Sequence, residues 1–106
     1  MANPWTGEVA LVIDGQPRVM KLTLGALAEL ESALGEGSLV EMVRRFEGGG
    51  FTARDVLVLL AAGLRGGGHE IGAAELGRAD IEGGPMVAAR AAAELLARAF
   101  VLPETT

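Results

Sequence analysis

The sequence predicts an α+β fold, with an N-terminal antiparallel β-hairpin followed by a compact bundle of four to five helices. Three patterns support this. Apolar residues alternate on either side of an Asp-Gly turn within residues 7–23, they recur at intervals of three and four within residues 24–100, and glycine clusters separate the helical segments. A chain of 106 residues can bury a core of its own, so residues 1–106 are taken as a single domain.

The hairpin is predicted from a period-two pattern. Apolar side chains alternate from Val9 to Ile13, and the following Asp14-Gly15-Gln16-Pro17 has turn composition. A four-residue loop is favoured, because it keeps Pro17, which has no N–H, out of the ladder. This loop sets Leu11 opposite Met20 and makes one face of the hairpin apolar.

Each predicted helix has a recognisable beginning. Thr23 is expected to cap a helix that stops at Gly35, Ser38 with Glu41 to begin one that runs to about Phe46, and Thr52 with Asp55 to begin one that runs to about Arg65. A short helix is expected over residues 73–78 and a long one from Gly84-Pro85 to Phe100. Residues 101–106 are expected to form a loose tail.

The third of these helices is apolar on most sides and is predicted to be the centre of the core. The residues expected to be buried with it are Leu27, Leu30, Leu57, Leu60, Leu64 and Leu96. The three phenylalanines, Phe46, Phe51 and Phe100, are expected to pack there as well.

Residues that carry enzyme chemistry are scarce. The chain has no cysteine, His69 is its one histidine, and neither Ser32 nor Ser38 lies in a nucleophile motif. We therefore expect no enzyme, no catalytic residue, no metal and no cofactor. A net charge of −5 with a single lysine also argues against nucleic-acid binding, which needs clustered cations.

The glycine clusters are poor candidates for phosphate-binding loops. Residues 48–53 match the dinucleotide-binding spacing of glycines, but they follow a predicted helix and not a strand. Helix termination explains these glycines better.

Apolar stretches in the chain are too short for a membrane span. The longest, from Val56 to Leu64, has nine residues where about 20 are needed. The start of the chain also lacks the pattern of a signal peptide, so a cytoplasmic protein without membrane contact is expected.

The high apolar content predicts a surface that binds a partner or a second copy of the chain. Half of the residues are hydrophobic, which is more than a small interior is expected to hide. The candidate partner-binding residues are Trp5, as an aromatic anchor, and Ala88, Ala92 and Ala99 on the alanine-rich side of the last helix.

Several phrases of the sequence, in order, resemble one family. They are NPWTGEVAL, LTLGALAELE, RFEGGGFTARDVLVLLAAGLRGGG and DIEGGP before an alanine-rich helix, and together they extend from about Asn3 to Phe100. The chain resembles the small protein encoded between the major tail protein and the tape-measure protein in gene transfer agents of the alphaproteobacterial kind. These agents are phage-derived tailed particles, and the family is similar to phage tail assembly chaperones.

The resemblance implies a role in tail assembly and no catalytic residues. The expected partners are the tape-measure protein and other phage-like tail proteins, with self-association as a further expectation. Two roles stay open: a chaperone that keeps the tape-measure protein soluble, and a structural component retained in the tail tube.

Overall fold

The structure is a computed structural model that describes residues 7–35 and 38–100. It contains a two-stranded antiparallel sheet followed by five helices, which confirms the predicted α+β fold. The elements in chain order are β1 (Val9–Ile13), β2 (Gln16–Met20), α1 (Leu24–Leu34), α2 (Ser38–Gly48), α3 (Ala53–Gly66), α4 (Ala73–Leu76) and α5 (Gly84–Phe100).

The hairpin loop is shorter than predicted. Ile13 pairs with Gln16, so only Asp14 and Gly15 form the turn, and Leu11 lies opposite Arg18 instead of Met20. Both turn residues have positive φ (51° and 77°), as a type I′ turn requires, and this turn matches the twist of the strands. The predicted four-residue loop is therefore wrong. The shift is an even number of residues, so the predicted apolar face is kept.

Pro17 lies inside β2, opposite Val12, and costs no ladder hydrogen bond. In a two-residue hairpin the pair next to the closing pair does not exchange hydrogen bonds across the strands. Val12 fits this geometry, because its carbonyl points away from β2 and accepts from the N–H of Glu82, 3.0 Å away.

The predicted helix starts and stops are mostly confirmed. The Thr23 hydroxyl accepts from the N–H of Ala26, Thr52 and Asp55 form a complete capping box, and Gly35 has a φ of 106° after α1. The predicted capping role of the Ser38 side chain and the predicted tail at 101–106 lie outside the described residues. α2 and α3 extend slightly beyond the predicted ends, and α4 is shorter than predicted.

The core forms around α3, as predicted. Four of the six expected leucines are buried (Leu30, Leu60, Leu64 and Leu96), and Leu27 and Leu57 are partly buried against the same cluster. Phe46 packs against this cluster, and the ring of the half-buried Phe51 stacks on it with 4.7 Å between the ring centroids. Phe100 is 48% exposed at the end of α5, so its predicted burial is wrong.

At the carboxyl end of α3, the helix backbone packs directly against the backbone at the end of the hairpin. A Cβ atom on Gly66 would lie 1.9 Å from the Lys21 carbonyl oxygen, and one on Gly67 would lie 2.1 Å from the Val19 carbonyl oxygen. The Lys21 N–H donates to the Gly63 carbonyl at 2.9 Å. These glycines therefore permit a close approach between helix and strand, in addition to ending the helix.

The outer edge of β1 is also engaged. The Asp14 N–H donates to the Asp80 carbonyl at 2.7 Å, and Ile13 and Ile81 form an isolated antiparallel bridge. At the other end of the strand, Arg98 of α5 donates to the Glu8 carbonyl. The segment before α5 and the end of α5 thus hold the two ends of β1.

The Gly66 contact can be tested against a matched glycine. Gly66→Ala should lower the free energy of unfolding by about 1–3 kcal/mol, because the new methyl group would lie 1.9 Å from the Lys21 carbonyl oxygen, so the backbone must shift. Gly48 is the last residue of α2, as Gly66 is of α3, and open space surrounds it. Gly48→Ala should leave the urea midpoint unchanged or raise it. Equal midpoints for the two variants would contradict the close packing.

Candidate partner-binding site

An apolar groove of about 550 Å³ is open on one side of the fold. Its walls are the first half of α3 with Phe51, the segment from Leu76 to Ile81, and the first turns of α5. Asp80 is the only lining residue with a polar side chain; the other lining residues are Phe51, Ala53, Val56, Leu57, Leu76, Gly77, Ala79, Ile81, Gly84, Pro85, Met86, Ala88 and Ala89. The groove can therefore contact an apolar surface but offers few hydrogen-bonding groups.

The α3 wall is set by the beginning of that helix. Thr52 is the N-cap, so Phe51 precedes the cap and Val56 occupies the fourth helical position. This is the spacing of a hydrophobic staple, which fixes the angle at which the chain enters a helix. Both side chains line the groove.

An ion pair ties α2 to the start of α3. Arg45 donates to both oxygens of the Asp55 carboxylate, at 2.8 and 2.9 Å, in bidentate geometry. The same carboxylate accepts from the Thr52 N–H at 3.0 Å. Asp55 is the only buried charged residue in the described part of the chain. The ion pair and the stacking of Phe46 on Phe51 therefore connect α2 to the α3 wall of the groove.

These contacts shift the pKa values of both partners. The hydrogen bond from Arg45 is the main cause that lowers the pKa of Asp55, and the Thr52 backbone acts in the same direction. The hydrogen bond to Asp55 correspondingly raises the pKa of Arg45. Asp55 therefore stays ionised in the folded protein to lower pH than in the unfolded chain.

Hydrogen bonds attach the wall formed by residues 76–81 to the hairpin and to the start of α5. Asp14 and Asp80 bond reciprocally: the Asp14 N–H donates to the Asp80 carbonyl, and the Asp80 N–H donates to an Asp14 carboxylate oxygen at 2.8 Å. The Gly84 N–H donates to the Ile81 carbonyl at the start of α5. Beyond it, Met86 lines the groove with 77% of its surface exposed.

Of the predicted partner-binding residues that the structure describes, Ala88 lines the groove, whereas Ala92 and Ala99 do not. Ala88 and Ala92 are 5% and 0% exposed and belong to the core, and Ala99 is half-buried against it. The alanine-rich side of α5 is the side that packs inside the fold, because small side chains let helices approach closely. Ala92→Glu would therefore damage the fold and cannot test binding. Trp5 lies outside the described residues.

The groove residues were missed by the sequence analysis for different reasons. The staple spacing of Phe51 and Val56 around Thr52 was a readable signal for that wall. The exposure of Met86 had no local signal in the sequence. Ala88 lines the groove floor, so one of the four predicted residues does lie at this site, although mostly covered.

The one histidine has a structural contact. His69 is half-buried after the glycines that follow α3, and its Nδ1 lies 3.4 Å from a guanidinium nitrogen of Arg18. The Nε atom of Arg18 is buried, and no described residue forms a hydrogen bond with it. His69 is thus partly buried, and it does not line the groove.

No group of three or more histidine, aspartate or glutamate side chains in the described part of the chain could hold a metal ion. Among the helices of residues 7–35 and 38–100, none has the length and hydropathy to cross a membrane.

Comparison with protein families gives a match over most of the chain. A family described as phage tail tube protein, GTA-gp10, matches residues 6–101, which is most of the chain. The chain belongs to this family. No curated protein and no solved structure matches the chain.

Membership in the GTA-gp10 family confirms the predicted resemblance to tail proteins of gene transfer agents. The family description names a tail tube protein, which is the structural alternative left open by the sequence. The match covers the hairpin, all five helices and therefore every wall of the groove.

The Arg45–Asp55 pair predicts a pH-dependent contribution to stability. Asp55→Asn should lower the free energy of unfolding at pH 7 by about 1–2 kcal/mol, because it removes the charge from a capping and ion-paired group. The folded-state pKa is lowered, so this contribution is present above the ordinary aspartate pKa of about 3.9 and is lost as the pH falls below it.

Urea denaturation at pH 7 and pH 3 measures this contribution. The difference between wild type and Asp55→Asn should be smaller at pH 3, and the exposed Glu47→Gln on α2 serves as the control. A difference that is the same at both pH values would contradict the assigned role of the ion pair.

Proposed function

We propose that this GTA-gp10 family member is a non-enzymatic tail assembly protein that acts in the cytoplasm as a chaperone for the tape-measure protein. The observation that supports this most is the open apolar groove between α3 and α5. Its volume of about 550 Å³ is comparable to the range of about 300–1,000 Å³ found for small-molecule pockets. Its walls expose mostly apolar side chains to the solvent, and a partner's apolar surface would cover these side chains.

The way the groove is held favours a binding role. Its walls are fixed by the Asp55 ion pair on one side and by the Asp14–Asp80 bonds on the other, so the groove is preformed. A preformed groove avoids part of the ordering cost of association. Met86 adds an exposed, flexible and polarisable side chain, which adapts to different apolar partners.

A structural role in the tail tube is the second candidate, and the family description favours it. In this case the same groove would bind a neighbouring subunit of the particle instead of the tape-measure protein. The two roles differ in whether the chain stays with the finished tail.

Co-expression tests the chaperone role. The tape-measure protein should be mostly insoluble when produced alone and should become soluble, and co-purify with this chain, when both are produced together. An unrelated acidic protein of similar size serves as the control for a general effect on solubility. Tape-measure protein that is equally soluble with either protein would contradict the chaperone role.

Purified particles then separate the two candidates. A chaperone should be absent from them by mass spectrometry, since it leaves when tube subunits cover the tape-measure protein. Recovery of this chain in amounts comparable to the tube subunits would instead establish the structural role.

A further inference from the structure

We draw no further inference here: the strongest candidate, the apolar groove between α3 and the start of α5, belongs to the site already described, and nothing in the structure shows what covers it.

Discussion

The packing of the carboxyl end of α3 against β2 determines where most of the other elements lie. Gly66 and Gly67 let the helix backbone reach the carbonyl oxygens of Lys21 and Val19, a distance that any larger residue would prevent. The same helix packs on α1, α4 and α5, so its position relative to the hairpin sets the whole core. Gly63 extends this contact, because its missing side chain leaves room for Leu95 of α5.

This constraint links the fold to the proposed mode of binding. Because α3 closes one edge of the hairpin and the segment before α5 engages the other, the sheet is used for internal structure. The surface left for a partner lies between α3 and α5, near the beginnings of both helices. In the proposed role, a partner's apolar surface would cover this groove through contacts with its apolar side chains.

Local signals in the sequence predicted the elements well. The capping box at Thr52 and Asp55, the stop at Gly35 and the alternation in β1 are each decided by a few neighbouring residues. The hairpin register was mispredicted because the preference of Asp-Gly for a type I′ turn outweighed the expected exclusion of Pro17 from the strand.

The candidate site was much less predictable from the sequence. Alanine content indicated a partner-binding side of α5, but helix packing placed Ala92 in the core. One wall of the groove is formed by residues 76–81, and the bonds that hold this segment to the hairpin join Asp80 to Asp14, which are 66 residues apart. A contact between residues so distant in sequence leaves no local pattern.

Hydrogen exchange on the complex with the tape-measure protein tests the central claim most directly, namely that the partner is bound by the groove and not by the sheet. Mass spectrometry should show slower exchange on binding in peptides that cover residues 51–57 and 76–89, with unchanged exchange in those that cover the hairpin at 9–20. Slower exchange confined to the hairpin, with no change at the groove, would contradict the claim.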